Sequence, residues 1–256
     1  MPYIDRNGVR IHYEVAGSGP AILLTHGFAA SSRMFAGIVP ALATDHTVVT
    51  WDMRGHGQSD YPDDPAQYSV PLVMEDMAAL LDVAGADRGV ILGHSVGGFL
   101  ALEFNLARPE RVTALVLEDT GPGYRKDEGR QGWNDTAEAY AVDLETNDLD
   151  GIHVSEELDP TVHRSATGLA RAARGILKQH DARVISSLES ISVPVLVVVG
   201  EQDENFVNPS RYMAAKIPGA RLEIIPDAGH SPNVSQPEAF TAAFRSFLAD
   251  LPRAVA

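Results

Sequence analysis

The stretch Gly89-Val90-Ile91-Leu92-Gly93-His94-Ser95-Val96-Gly97-Gly98-Phe99-Leu100-Ala101-Leu102 decides how this chain is read. Val90-Ile91-Leu92 is short and wholly apolar, which suits a strand buried on both faces. Phe99 to Leu102 suits the body of a helix. Between them stands Gly-x-Ser-x-Gly, the signature of a nucleophile elbow when it joins a strand to a helix. Such a turn is so sharp that side chains two residues before and two after the serine would collide, and Gly93 and Gly97 remove them. Gly98 lets the helix pack closely. Ser95 is therefore expected above the sheet edge at a helix N-terminus, where backbone N–H groups favour developing negative charge.

Working outward, the same kind of apolar run recurs at Ala21 to Leu24, Thr47 to Thr50, Ala114 to Leu117 and Val193 to Val199, and more weakly at Leu222 to Ile225. Asn7-Gly8, between Tyr3-Ile4 and the alternating Val9, Ile11, Tyr13 and Val15, predicts an antiparallel hairpin at the start. Amphipathic helices are predicted around Val73 to Ala84, stopped by Gly85, and around Phe240 to Leu251. Strand–helix alternation of this kind predicts an α/β protein with a mostly parallel sheet covered on both faces. Residues 121–190 break the rhythm. Gly121 to Gly132 reads as loop, and Val162, Ala166, Leu169, Ala173 and Ile176 mark one amphipathic helix. The expected division is a core of residues 1–120 and 191–256, with 121–190 as a helical lid rather than a plain surface excursion.

A serine hydroxyl needs a base. His230, in Asp227-Ala228-Gly229-His230-Ser231, follows the last strand-like run and falls at the same sheet edge as Ser95. His12, His26 and His56 read as structural, and His94 points away from the neighbouring hydroxyl. The base in turn needs a carboxylate to fix its tautomer. Asp203, after Gly200-Glu201-Gln202, is the expected partner, with Asp119, Glu118 and Glu201 as competitors and Asp227 as a turn residue. The N–H groups of Phe28 and Val96 are expected to form an oxyanion hole.

The set His26-Gly27-Phe28, Asp52-Met53-Arg54-Gly55-His56-Gly57-Gln58-Ser59-Asp60, Gly93-His94-Ser95-Val96-Gly97-Gly98, Gly200-Glu201-Gln202-Asp203 and Gly229-His230 resembles the α/β-hydrolase superfamily in its small-capped, esterase-like branch. The resemblance implies an eight-stranded sheet with a helical cap after strand 6, and a Ser95–His230–Asp203 triad. It also implies that Arg54, His56 and Ser59 are scaffold. The activity it implies is hydrolysis of carboxylic esters with short to medium acyl chains, bound against Trp133, Tyr140, Phe206 and Val207. The same triad would serve a lactonase, a carbon–carbon bond hydrolase or a perhydrolase, and a hydrolase-like ligand receptor is a further alternative. Relatives that open epoxides or displace halide carry aspartate where Ser95 stands.

Composition narrows the partners. Lys+Arg number 20 against 35 Asp+Glu, a net charge of −15, which disfavours nucleic acid and anionic lipid as partners. There is no cysteine, so disulfides, thiolate metal sites and a Cys nucleophile are excluded. No ligand spacing suggests a metal, and no cofactor is expected. Met1 to Arg6 carries no secretory signature, so a cytoplasmic protein acting on a small-molecule ester, as monomer or homodimer, is expected.

Overall fold

In the computed structural model, which describes residues 2–251, Asn7 and Gly8 both take positive φ, 58° and 84°. That geometry closes a two-residue turn whose twist matches the strands on either side. It joins β1 (Tyr3–Arg6) to β2 (Val9–Ala16) in the expected antiparallel hairpin. β2 then pairs antiparallel with β4 (Thr47–Trp51). Every later pairing is parallel, through β3 (Ala21–Thr25), β5 (Gly89–His94), β6 (Val112–Glu118), β7 (Val195–Gly200) and β8 (Arg221–Ile225). The eight strands lie in the order β1-β2-β4-β3-β5-β6-β7-β8. From β3 the chain proceeds to β4 on one side, and from β5 to β6 on the other. The carboxyl ends of β3 and β5 thus flank a switch point, where open α/β sheets bind ligands.

Every residue of β3, β5 and β7 is buried, which is why their sequences run apolar instead of alternating. Successive residues still face opposite ways. Leu23, Ile91, Leu115 and Val197 join one core cluster, while Ile22, Leu24, Val90 and Leu92 join the other. The first cluster takes in Val73, Met77 and Leu80 of α1 (Val70–Val83) and Leu100 and Phe104 of α2 (Val96–Ala107). Phe240 and Phe244 of α6 (Pro237–Ala249) fill the second, their rings 6.3 Å apart and edge to face. Burial of each such ring contributes about 2–3 kcal/mol. The expected scaffold role of Arg54 is seen directly. Its guanidinium is buried, and Nε and a terminal nitrogen donate to the two oxygens of buried Asp76 at 2.5 and 2.9 Å. Ser59 Oγ donates to Asp52 O at 2.5 Å and accepts from His12 N at 2.9 Å.

Between β6 and β7 the described residues hold helices and turns, with no strand. Here the expected Gly121–Gly132 loop is too long: α3 (Asp127–Asn147) starts inside it and absorbs Gly129 and Gly132. Each glycine costs about 1 kcal/mol against alanine. Asp127 and Glu128 offset part of this in the first turn, where the helix dipole favours negative charge. Tertiary ties do the rest. Trp133 Nε1 donates to Leu177 O at 2.8 Å, and the Asn134 amide exchanges two 2.8 Å hydrogen bonds with the backbone of Gln179. The predicted helix around Leu169 is α4 (Ala166–Ala172), which continues as a π turn through Leu177, while Val162 belongs to a separate 3-10 turn. His163 fastens this region to the core. Its Nε2–H donates to Ala29 O at 2.8 Å, and its Nδ1 accepts from Gly57 N at 3.1 Å. No helix among the described residues is long and apolar enough to cross a membrane.

Candidate active site

Ser95 sits between β5 and α2 with φ 53° and ψ −120°. These are the angles of the first central residue of a type II′ turn, a region otherwise left to glycine. A non-glycine residue there is strained by about 1–3 kcal/mol. The need for Gly93 and Gly97 is equally concrete. A Cβ on Gly93 would lie 2.0 Å from Gly97 O, and one on Gly97 would lie 2.3 Å from Thr25 O. The turn is held by Ser95 N donating to Glu118 O at 2.9 Å and Thr120 Oγ1 donating to Ser95 O at 2.6 Å.

His230 follows β8, and Asp203 follows β7. The His230 Nδ1–H donates to Asp203 Oδ2 at 2.7 Å, which leaves Nε2 as the acceptor nitrogen. Against the cost of burial, the hydrogen bond from His230 and a contact with Asp119 hold the Asp203 carboxyl below the usual carboxylate range. Ser95 and His230 line one cavity of about 830 Å³, and among the described residues no hydrogen bond links Ser95 Oγ to His230. Phe28 and Val96 line the same cavity, and neither N–H has a protein acceptor among the described residues. Phe28 stacks on Tyr140 with ring centroids 6.0 Å apart.

The competing carboxylates separate clearly. Glu201 is exposed. Buried Glu118 accepts from Asn233 N at 3.1 Å, and burial pushes its carboxyl up to about 8. Asp119 accepts from Gly200 N at 3.0 Å, and burial, with Glu118 adjacent, pushes it up to about 10. Asp203 is the carboxylate bonded to His230. Asp119, Asp203 and His230 do offer three ligand-type atoms within 4.8 Å of one another. Two of these residues are already engaged with each other through Nδ1 and Oδ2.

His94, next to the serine, has a structural task of its own. Its Nε2–H donates to His230 O at 2.8 Å, and the two rings lie 4.8 Å apart. Burial, then the neighbouring His230, lower His94 to about 3, so it stays neutral. His26 is structural as expected. Burial lowers it to about 4, its Nδ1–H donates to Gly27 O at 2.7 Å, and its Nε2 accepts from Met53 N at 3.0 Å.

Trp133, Tyr140 and Phe206 line the cavity, but Val207 does not. The wall is made instead by Asn205, Asn208, Pro209 and Tyr212, the i, i+3, i+4, i+7 face of α5 (Val207–Lys216) and the turn before it. Val207 falls off that stripe. This periodicity was present in the sequence and would have found the wall. Among the described residues lining the cavity there is no lysine or arginine, while Glu157 and Asp203 are acidic.

Comparison with known proteins agrees with this architecture. Residues 22–243 match the model of the Alpha/beta hydrolase family. A Bacillus subtilis (strain 168) protein named "Putative 2-succinyl-6-hydroxy-2,4-cyclohexadiene-1-carboxylate synthase" is 31% identical over 268 residues, covering 96% of this chain and 97% of that one. The 3-oxoadipate enol-lactonase 1 of Acinetobacter baylyi is 27% identical, with 95% of each chain covered. Among solved structures, a thermophilic esterase from Thermogutta terrifontis superposes with a TM-score of 0.82 at 26% identity, covering 98% of this chain and 99% of that one. Sheet order, elbow and family match converge: the chain belongs to the alpha/beta hydrolase family.

Proposed function

We propose that this protein is a serine hydrolase that cleaves carboxylic esters with short to medium acyl chains, and that Ser95, His230 and Asp203 are its triad. The observation that carries the reading is the opening of a strained serine and a carboxylate-bonded histidine onto one cavity. In this reading His230 Nε2 takes the Ser95 proton as Oγ attacks the ester carbonyl. The tetrahedral oxyanion is received by the N–H groups of Phe28 and Val96. His230 then protonates the leaving alcohol and activates water, which hydrolyses the acyl-enzyme. Asp203 fixes the histidine tautomer and stabilises the imidazolium. Residues 121–190 act as the cap, its Trp133 and Tyr140 forming part of the acyl wall with Phe206.

A cavity lined by no lysine or arginine among the described residues favours a neutral ester over one bearing a free carboxylate. Lactones are cyclic esters, and the resemblance to proteins named enol-lactonase makes lactone opening the second reading. Labelling with a serine-directed fluorophosphonate tests the nucleophile: the wild-type chain is expected to label and Ser95→Ala is not. A panel of p-nitrophenyl esters and simple lactones then separates the two substrate classes.

A further inference from the structure

Asp119 is a carboxyl group that the proposed chemistry leaves unused, and its surroundings are unusual. It directly follows β6 with φ 42°, in the left-handed region, and its side chain is fully buried. Its N–H donates to Val198 O at 2.9 Å, and its Oδ1 accepts from Gly200 N at 3.0 Å. Its Oδ2, by contrast, is buried without a hydrogen-bond partner. An Asp119 oxygen, an Asp203 oxygen and a ring nitrogen of His230 lie within 4.8 Å of one another. A bare carboxylate oxygen held against a second carboxylate in a dry site would be repelled and unsolvated together. A proton between the two carboxyls removes both problems, because a protonated carboxyl donates one hydrogen bond while its other oxygen still accepts. Gly200 N–H already takes the accepting oxygen, so the free oxygen is the one left to carry the proton.

We infer that Asp119 is a neutral carboxylic acid that donates a hydrogen bond to Asp203, so that Asp203 is held from two sides and presents a fixed oxygen to His230. Asp119 is then a positioning residue. It touches no substrate and acts through Asp203. The direction in which burial and the neighbouring Glu118 move its carboxyl agrees with this. The titratable groups around the pair are Glu118 on the same strand end, His230 beyond Asp203, and neutral His94. The inference rests on the reading of Ser95, His230 and Asp203 as a triad, and one of its tests does not depend on activity.

That test is the infrared difference spectrum between wild type and Asp119→Asn at neutral pH. Asparagine is isosteric, can still accept from Gly200 and offers an N–H to Asp203. The inference expects loss of the carbonyl band of a neutral carboxylic acid. Loss of a carboxylate band instead would overturn it, whatever the enzyme's activity. The second test is kinetic, with p-nitrophenyl acetate as substrate. Asp119→Leu, which removes the donor, should lower kcat about tenfold with KM within about twofold, the cost of one buried charge-assisted hydrogen bond. Asp119→Asn should recover most of that loss. An unchanged kcat in Asp119→Leu, or equal losses in both variants, would remove the positioning role. If Asp119→Leu does not fold, Asp119→Asn decides alone, because a loss beyond about a hundredfold from this isostere is incompatible with a donor role it preserves. Failure of the triad itself is read separately, as fluorophosphonate labelling that survives Ser95→Ala.

Discussion

Replacing Ser95 with glycine should make the protein more stable while abolishing turnover. Ser95 holds φ 53° and ψ −120°, angles that glycine adopts freely, and the strain is about 1–3 kcal/mol. Against this stands the extra flexibility of glycine in the unfolded chain, about 0.5–1 kcal/mol. Among the described residues the Ser95 hydroxyl makes no hydrogen bond, so its removal subtracts nothing else from the fold. The net gain is roughly 0–2.5 kcal/mol. A chain of 256 residues unfolds with an entropy of about 0.5 kcal/mol per kelvin, so Tm should rise by up to about 5 °C. The assay is differential scanning calorimetry of wild type, Ser95→Ala and Ser95→Gly, with ester turnover measured on the same preparations. Alanine keeps a Cβ and should stay near the wild-type Tm. A Ser95→Gly variant melting below both would refute the claim that this backbone is strained for the sake of the hydroxyl's position.

Other perturbations have equally definite outcomes. Asp203→Asn should lower kcat by about three to four orders of magnitude, because an amide in place of the carboxylate favours the wrong histidine tautomer and leaves the imidazolium unsupported; stopped assays at high enzyme concentration measure it. Glu118→Gln should raise Tm more at pH 8 than at pH 5. The folded carboxyl is raised to about 8, so the unfolded chain binds fewer protons between about pH 4.5 and 8, and wild-type stability falls with rising pH in that window while the glutamine variant is spared. Thermal melts across the pH range read the sign directly. An ester whose acyl chain ends in a carboxylate should show kcat/KM at least about tenfold below that of its uncharged counterpart, since among the described residues no lysine or arginine lines the cavity to receive it. Paired p-nitrophenyl butyrate and hemisuccinate assays decide that.

Much of this molecule is visible in its sequence, for identifiable reasons. Strands buried on both faces must be continuously apolar, so β3, β5, β6 and β7 announce themselves. The elbow is legible because its sterics permit little besides glycine at positions 93 and 97. Asp203 and His230 were placed by the strands before them, and the structure brings the two within 2.7 Å. The helical insertion was harder to read. The glycines at 129 and 132 argue for loop, and the hydrogen bonds that override them, from Trp133 to Leu177 and between Asn134 and Gln179, span more than forty residues. The tasks of His94 and Asp119 were hidden for the same reason. A backbone carbonyl 136 residues away, or a second carboxyl on a neighbouring strand end, leaves no local pattern.

Glu118 touches both halves of the proposed machinery. Its carbonyl takes the Ser95 N–H, and its carboxyl takes the N–H of Asn233, three residues beyond His230. The side chain of His94, next to Ser95, holds the His230 carbonyl from the other direction. Nucleophile and base are thus referenced to one shared datum, the tip of the sixth strand. A displacement of that tip should carry both along, so the gap between oxygen and nitrogen is expected to change less than the position of either one.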